Sequence, residues 1–202
     1  MIKLYDNPLS GNSYKARLLL AHLGVEYEKV TVDIFKGEHK SDDFTKLNPN
    51  QKIPVLADEE YIIWESNAIL IYLAKKYLPN QYISEDPNEL GLISQWLIFG
   101  KTSIDPFLAV SRYFLKFLGE GNYDKNQLDN LQNQGKHSLN IVDKHLSDND
   151  FLAFGYSIAD MACYPYVMLS HEGGFEISEF PNVEKWCKRV EKQPGFLGFA
   201  DK

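Results

Sequence analysis

The chain has 202 residues, of which 44% are hydrophobic, and its formal net charge at pH 7 is -7. This length and hydrophobic content are enough to bury a core, which excludes an intrinsically disordered protein. The negative charge repels nucleic-acid phosphates and anionic lipid surfaces, so we predict neither a nucleic-acid partner nor a membrane partner.

The N-terminus and the cysteines indicate the compartment. The first residues run directly into a globular pattern, without a charged-then-apolar leader or an apolar run of about 18 residues, which predicts a cytoplasmic protein. The two cysteines, Cys163 and Cys187, stand apart, with no Cys-x-x-Cys pair and no histidine cluster at metal-binding spacing. We therefore predict two reduced, buried thiols and no metal, so thiol chemistry would use a sulfur from a second molecule.

The first eighty residues alternate between strand and helix patterns. Residues 2–5 form a short apolar run, residues 14–23 carry apolar side chains at helical spacing up to Gly24, and residues 26–32 alternate as a strand does. After a polar stretch, residues 52–57 and 61–63 indicate a hairpin around a turn at residues 58–60. Residues 65–77 repeat the helical spacing and end before Pro79. The order βαβ, short helix, ββα predicts a thioredoxin-like α/β domain.

The rest of the chain carries no strand pattern. Helical spacing covers residues 88–118, 124–146, 157–171 and 181–191, and Pro106 is expected to kink the first of these helices because it removes a backbone donor. Ser157 and Asp160 form a capping box, which is a structural motif. The predicted organisation is a thioredoxin-like domain at residues 1–79, a linker at residues 80–87 and an all-α helical domain at residues 88–202.

The connection between the first strand and the first helix is polar. Ser10, Gly11, Asn12 and Ser13 place hydroxyl and amide groups at the positive end of a helix, where an anion is stabilised. A serine in this position equally serves as the N-cap of the helix. The residues by themselves leave the cap and the anion site open as alternatives.

Pro54 opens the third predicted strand, directly after Ile53. A proline cannot donate to a sheet and is tolerated at a strand start or an edge. A trans bond is the common case for such a proline. In a thioredoxin-like arrangement, however, we expect a cis bond that turns the backbone N–H and C=O of Ile53 toward a ligand.

Charged and hydroxyl side chains elsewhere suit a peptide with two carboxylates. Glu65 and Ser66 open a helix, where Glu65 can pair an ammonium and Ser66 with the helix amides can hold a carboxylate, although capping alone also explains Ser66. His39, Lys40 and Lys52 offer cations for a second carboxylate and are equally ordinary as surface charges. Together these features describe an extended tripeptide with a carboxylate at each end and a thiol between them.

In these stretches the chain resembles the cytosolic glutathione transferase family, over essentially its whole length. The matching segments are residues 10–18 (SGNSYKARL), 37–41 (GEHKS), 47–56 (LNPNQKIPVL) and 65–69 (ESNAI), followed by an all-helical half with its capping box. Within the family it is most similar to serine-type enzymes, such as the plant phi class and theta-like or nu-like bacterial proteins. The resemblance implies the glutathione transferase fold, with a thioredoxin-like α/β N-terminal domain and an all-α helical C-terminal domain.

The resemblance implies glutathione as co-substrate, no metal, and a role for each candidate residue. Ser10 would hydrogen-bond the glutathione sulfur as the catalytic residue, with Asn12 assisting and Ser13 as the competitor. The other implied glutathione contacts are His39 and Lys40 at the glycine carboxylate, the backbone of Ile53 at the cysteinyl part, Glu65 and Ser66 at the γ-glutamyl head, and Lys52, which stands where phi-class proteins often carry glutamine. Because position 10 is not a cysteine, omega-like or beta-like glutathionyl exchange is disfavoured.

The implied activity is that of a detoxification enzyme. Glutathione would be conjugated to a small hydrophobic electrophile, and reduction of organic hydroperoxides suits the same site. The implied walls of the hydrophobic substrate pocket are Leu9, Phe107, Tyr113 and Phe114, and the implied assembly is a homodimer. The rival readings are a non-catalytic glutathione-transferase-like protein with a ligand-binding or stress-regulatory role, and a thiol-disulfide oxidoreductase, which would need a cysteine near Ser10.

Overall fold

The computed structural model describes residues 1–199 and residue 201. The chain divides into two compact units, one of residues 1–80 together with the segment that begins at Pro194, and one of residues 81–193. Within the described residues, no helix combines the length and the apolar character needed to cross a membrane.

The first unit is built on a mixed four-stranded sheet in the order β2-β1-β3-β4. The strands are β1 (Ile2–Asp6), β2 (Glu28–Thr31), β3 (Val55–Asp58) and β4 (Tyr61–Trp64). β1 runs parallel to β2 and antiparallel to β3, and β3 pairs antiparallel with β4. Every residue of the inner strand β3 is buried, whereas the edge strand β4 is largely exposed. The predicted thioredoxin-like arrangement is confirmed.

Three α-helices complete this unit. They are α1 (Gly11–Leu23), α2 (Asp42–Leu47) and α3 (Ser66–Lys76), and a short 3₁₀ turn (Glu38–Lys40) precedes α2. α1 begins at Gly11 rather than at residue 14 because Ser10 caps it. It ends at Gly24, whose φ of 64° is a left-handed conformation that glycine adopts without a steric penalty.

The register of the sheet brings three connections to one end of it. Tyr5, near the end of β1, pairs with Val55, the first residue of β3, and Val55 pairs with Trp64, the last residue of β4. Because these pairs are antiparallel, the chain leaving β1, the chain entering β3 and the chain leaving β4 meet at the same end.

The second unit consists of helices and turns over residues 81–193, all of which the structure describes. Its α-helices are α4 (Pro87–Phe99), α5 (Val110–Arg112), α6 (Lys125–His145), α7 (Ile158–Met168) and α8 (Pro181–Glu191). Wider π-helical segments (Gly100–Ala109 and Tyr113–Leu118) flank α5, and 3₁₀ turns (Ser170–Gly173 and Ile177–Glu179) follow α7. The all-helical second half is confirmed.

Pro106 lies inside the first π-helical segment. A proline cannot donate the backbone hydrogen bond of an α-helix, and its ring crowds the preceding turn. The structure accommodates it in widened turns, so the stretch predicted as one kinked helix alternates between α and π geometry.

Asp160 is a buried, hydrogen-bonded carboxyl group in the second unit. It is fully buried and accepts hydrogen bonds from the backbone amides of Leu152 and Ser157, both at 3.0 Å, and from the indole N–H of Trp186 at 2.8 Å. The predicted capping box of Ser157 and Asp160 is present at the start of α7. Burial raises the pKa of Asp160 to about 6, although these hydrogen bonds act in the opposite direction.

Both cysteines are buried thiols, as predicted. Burial, with the charges of Glu191 and Glu184, raises the pKa of Cys187 to about 12. Its thiol therefore stays protonated at neutral pH and behaves as a small apolar side chain.

The last segment differs from the predicted domain division, which placed it in the helical domain at residues 88–202. His22 Nδ1 hydrogen-bonds the carbonyl of Pro194 at 2.9 Å, and the hydroxyl of Tyr14 donates to the carbonyl of Leu197. The rings of Tyr14 and Phe199 meet edge-on at 5.3 Å. These contacts group the segment with the thioredoxin-like unit, because the fully buried Tyr14 finds its hydrogen-bond acceptor there.

Candidate functional site

Ser10 stands at the N-terminus of α1, on the connection that leaves β1. Its Oγ accepts a hydrogen bond from the Ser13 amide at 3.1 Å, so Ser10 caps the helix. The side chain is half-buried, and a hydroxyl that accepts one hydrogen bond still has its own proton to donate. The amides of Gly11 and Asn12 lie in the first turn, where helix amides have no intrahelical acceptor. Ser10 can therefore cap α1 through its oxygen and at the same time donate its hydroxyl proton to an anion.

Ser13 is less suited to meet a ligand. Its side chain is fully buried, and its Oγ has no hydrogen-bond partner among the residues that the structure describes. Asn12 is half-buried, and its Oδ1 accepts a hydrogen bond from the Ser66 hydroxyl at 3.1 Å. Burial thus favours Ser10 over Ser13 as the serine that a ligand can reach.

Glu65 joins β4 to α3 with a backbone that is rare for a residue with a side chain. Its φ is 70° and its ψ is 115°. Such a conformation costs on the order of 1–3 kcal/mol in a non-glycine residue and is concentrated at binding sites. The Oε1 atom accepts a hydrogen bond from Asn50 Nδ2 at 3.4 Å. Glu65 is therefore held by its neighbours with its carboxylate next to the connection that enters β3.

Ser66 is the first residue of α3 and is only 2% exposed. Its hydroxyl donates a hydrogen bond to Oδ1 of Asn12, and its predicted contact with a ligand carboxylate stays a prediction. The backbone amide of Ser66 lies in the first turn of α3, where it has no intrahelical acceptor. In this arrangement the helix start offers amide donors to an anion.

The bond between Ile53 and Pro54 is cis, as predicted. Beside it lies a cleft of about 420 Å³. The cleft brings together four residues that were predicted as ligand contacts, namely His39, Lys40, Lys52 and Ile53, and adds Ile34, Asn50 and Gln51.

The charge of this cleft at neutral pH comes from its lysines. Lys40 and Lys52 are exposed, whereas His39 is half-buried. Burial lowers the pKa of His39, and the positive charge of Lys40 lowers it further. At pH 7 this lowered pKa favours a neutral imidazole, which offers hydrogen bonds rather than a charge.

The residues predicted to contact a hydrophobic substrate come from both units of the chain. In the first unit, Leu9 is 38% exposed on the turn before Ser10. In the second unit, Tyr113 is 47% exposed and Phe107 is half-buried. Phe114 stacks on Tyr123, with ring centroids 5.4 Å apart and planes inclined by 15°. Of the three aromatic residues, Tyr113 presents the most accessible ring.

Sequence reasoning missed Ile34, Asn50 and Gln51 as residues of the cleft. Asn50 and Gln51 follow an Asn-Pro dipeptide, which commonly initiates a turn and could have indicated that the chain folds back there. Ile34 carried no comparable signal, because an isolated apolar residue after a strand is common in any fold.

Models of two protein domains match this chain. The N-terminal domain of glutathione S-transferase matches residues 1–75, and the C-terminal domain of glutathione S-transferase matches residues 94–194. The chain belongs to the glutathione S-transferase family. Glutathione S-transferase D7 of Drosophila melanogaster is 30% identical over 200 residues, covering 96% of this chain and 87% of that protein. The crystal structure of a glutathione S-transferase from Pseudomonas fluorescens is 36% identical with a TM-score of 0.95, covering 99% of both chains.

Other matches carry a different name or contain a bound form of glutathione. The disulfide-bond oxidoreductase YfcG of Escherichia coli is 28% identical over 207 residues, covering 96% of this chain and 92% of that protein. A Pseudomonas putida glutathione transferase with one bound glutathione disulfide per subunit is 30% identical, with a TM-score of 0.87 and coverage of 96% and 88%. A structure of Ure2p in complex with glutathione is 27% identical, with a TM-score of 0.88 and coverage of 96% and 91%.

Proposed function

We propose that this chain is a glutathione transferase in which the Ser10 hydroxyl stabilises the glutathione thiolate for attack on a small hydrophobic electrophile. The observation that carries the proposal is the meeting of three connections at one end of the sheet, because Ser10, Ile53 and Glu65 each belong to one of them. The hydrogen bond between Ser66 and Asn12 joins two of these connections directly. Relatives named glutathione S-transferase and related structures that contain glutathione or its disulfide support the choice of ligand.

Each end of glutathione has a chemically matched group in the proposal. The γ-glutamyl ammonium pairs with the Glu65 carboxylate, and the γ-glutamyl carboxylate is held by amides at the start of α3. The glycine carboxylate enters the cleft with Lys40 and Lys52, where the neutral His39 adds a hydrogen bond. The backbone of Ile53 pairs with the cysteinyl part, which leaves the sulfur for Ser10 and Asn12.

The energetic requirement at the sulfur is modest. A free thiol has a pKa near 8.5, so only a few per cent is thiolate at pH 7. Lowering that pKa by about two units requires roughly 2.7 kcal/mol of preferential stabilisation of the anion. A hydrogen bond to a charged group contributes about 1.5–3 kcal/mol, and a helix N-terminus adds about 0.3–1 kcal/mol. Ser10 at the start of α1 can therefore supply the effect as a donor, without being deprotonated itself.

The proposal extends to the reactions and the assembly that the resemblance implies. The thiolate would displace halide from halogenated electrophiles or add to unsaturated ones. Two molecules of glutathione would reduce an organic hydroperoxide to an alcohol and water and would be oxidised to glutathione disulfide. Both reactions would have a detoxifying role. The working form would be a cytoplasmic homodimer.

The experiment is a comparison of wild type with Ser10→Ala and Ser13→Ala. Glutathione-dependent turnover is measured with a chlorinated nitroaromatic and with cumene hydroperoxide. We expect Ser10→Ala to lose about 10- to 100-fold in kcat, as expected for loss of one hydrogen bond to a developing anion. Ser13→Ala should retain wild-type turnover, because the Ser13 side chain is fully buried.

Ser10→Ala also removes a helix cap, so a cap-loss control is needed. Asp124 caps α6 in the same manner as Ser10 caps α1, through acceptance of a backbone amide. Asp124→Ala should therefore lower stability by about 0.5–2 kcal/mol, comparably to Ser10→Ala, and should leave turnover unchanged.

If wild type turns over neither compound, glutathione binding and disulfide reduction are measured on the same samples to distinguish the alternatives. Glutathione binding without turnover of either compound would favour a non-catalytic glutathione-binding protein. Reduction of a mixed disulfide that persists in Ser10→Ala would favour the activity named for YfcG. Absence of glutathione binding would overturn the proposal.

A further inference from the structure

Two asparagine-proline dipeptides precede the residues of the site and have no role in the proposal above. Asn7-Pro8 follows β1 and leads to Ser10, and Asn48-Pro49 follows α2 and leads to Ile53. Both asparagines are buried, Asn7 with 6% exposure and Asn48 with 1%. Neither side chain is open to a ligand, so any effect on a reaction must pass through the chain that each one holds.

Asn7 takes part in three hydrogen bonds, two of which close the first turn. Its Oδ1 accepts the amide of Leu9 at 3.0 Å, and its backbone carbonyl accepts the amide of Ser10 at 2.9 Å. Its Nδ2 donates to the carbonyl of Val32 at 3.0 Å. Because Pro8 has no N–H, every amide between Asn7 and Ser10 is bonded to Asn7 itself. The direction in which the chain enters α1 is thereby set.

The second turn repeats the same pattern. Oδ1 of Asn48 accepts the amide of Asn50 at 2.9 Å, and its backbone carbonyl accepts the amide of Gln51 at 2.9 Å. Its Nδ2 donates to the carbonyl of Lys52 at 2.6 Å. This carbonyl belongs to the peptide unit that directly precedes Ile53, so the bond sets the orientation of the backbone at the entry to β3.

The two turns are anchored on one small apolar cluster. Val32, whose carbonyl receives the Asn7 bond, packs with Phe44 and Val55, and Ile53 packs against this cluster from the second turn. A buried amide that loses its partners is costly, so each turn is confined to the conformation that satisfies its asparagine.

We propose that Asn7 and Asn48 are paired positioning residues, with Asn7 placing the Ser10 hydroxyl and Asn48 placing the backbone of Ile53. The inference rests on the proposed function, because it assigns the first turn to the sulfur of glutathione and the second to its peptide backbone. Misplacement of a reacting group by about an ångström costs as much as 10²-fold in rate. The two asparagines therefore have separable effects, on thiolate formation and on glutathione affinity.

The test uses Asn7→Ala and Asn48→Ala, with Asn80→Ala as the matched control. Asn80 also anchors backbone, at the C-terminal end of α3, opposite Ser66. Its Nδ2 donates to the carbonyls of Ala74 at 2.7 Å and Tyr77 at 3.1 Å. The measurements are the pKa of the bound glutathione thiol, from the ultraviolet absorbance of the thiolate, and kcat and KM for glutathione.

We expect Asn7→Ala to raise the thiol pKa by about one unit and to lower kcat at pH 6.5 about tenfold, while KM for glutathione changes by less than about twofold. Asn48→Ala should raise KM about tenfold and leave the thiol pKa within about 0.3 units of wild type. Asn80→Ala should change neither. Asn7→Ser retains an oxygen that can accept the Leu9 amide, so it should recover part of the thiol acidity.

The outcomes separate this inference from the proposed function. If Ser10→Ala lowers thiol acidity but Asn7→Ala does not, the positioning role is overturned and the proposed function stands. If Ser10→Ala leaves thiol acidity unchanged, both are overturned. If an alanine variant does not fold, Asn7→Ser and the corresponding Asn48→Ser carry the comparison, together with amide hydrogen exchange of Leu9 and Asn50 in ligand-free wild type. Slow exchange at both amides is expected, and rapid exchange would contradict the rigid turns on which the inference depends.

Discussion

The Ser66 hydroxyl donates a hydrogen bond to Oδ1 of Asn12 at 3.1 Å, which joins the first turn of α3 to the first turn of α1. Both helix starts carry partial positive charge from unsatisfied amides. A contact between them holds two such ends close together, which is unfavourable unless an anion or its hydration offsets the charge. In the proposed function, an anionic part of glutathione between the starts of α1 and α3 would offset this charge.

The first prediction concerns this bond. Ser66→Ala should weaken glutathione binding by about three- to tenfold, because Asn12 loses its fixed orientation at the sulfur end of the site. Its matched control is Ser138→Ala, since Ser138 is equally buried at 2% exposure and, among the residues the structure describes, bonds only the carbonyl of Gln134 in its own helix. Both variants should lose about 1 kcal/mol of stability. Calorimetric titration with glutathione measures the affinity of each variant. Equal affinities of Ser66→Ala and Ser138→Ala would contradict the prediction.

The second prediction concerns pH and His39. Because burial and Lys40 lower the pKa of His39 below 6.5, a bound carboxylate beside it would favour the protonated ring. Glutathione affinity should therefore increase as the pH falls from about 7.5 to about 5.5, and His39→Gln should abolish the increase. S-methylglutathione is the ligand to titrate, since its sulfur cannot ionise. An unchanged pH dependence in His39→Gln would place the carboxylate elsewhere.

His39 should also make the free energy of unfolding of the ligand-free chain depend on pH, in the direction opposite to its effect on glutathione affinity. A histidine whose pKa is lower in the folded chain binds fewer protons there than in the unfolded chain. The free energy of unfolding should therefore decrease as the pH falls below 6.5, and His39→Gln should lose part of this decrease in the absence of ligand.

The third prediction concerns Asp160. Burial raises its pKa from 3.8 to about 6, so between these values the folded chain keeps a proton that the unfolded chain has released. Its contribution to the free energy of unfolding should fall as the pH rises from 4 to 6, by about 2–3 kcal/mol, and stay level above that range. Urea unfolding of wild type and Asp160→Asn across this range checks it, because the difference between the two curves isolates this carboxyl. If the free energies of unfolding of the two proteins differed by the same amount at every pH, the hydrogen bonds of Asp160 would cancel the effect of burial on its pKa.

The fourth prediction concerns the segment after Pro194. Tyr14→Phe removes the donor to the Leu197 carbonyl and should lower the free energy of unfolding by about 1–2 kcal/mol. Tyr5→Phe is the matched control, because the hydroxyl of the half-buried Tyr5 makes no hydrogen bond in the described part of the chain. That variant should stay within about 0.5 kcal/mol of wild type. Equal losses would show that the segment contributes nothing through this bond.

Local sequence rules located most of the elements. Ser157 with Asp160, Gly24 at the end of α1 and Pro181 at the start of α8 act on backbone groups within a few residues, so their effects can be inferred without a fold. Errors arose where distant residues decide the outcome. The placement of the last segment depends on Tyr14, more than 180 residues away.

The sequence by itself determined the fold class and the kinds of group available for chemistry. Hydrophobic periodicity and capping residues act locally, and residue types limit which acids, donors and cations exist, so both can be inferred before the chain is folded. Only the tertiary structure decided which serine is accessible, that the Ser66 proton is directed to Asn12, and that burial keeps His39 neutral. These properties depend on solvent exclusion and on atoms brought together by the sheet register, and neither is encoded in any single stretch of the chain.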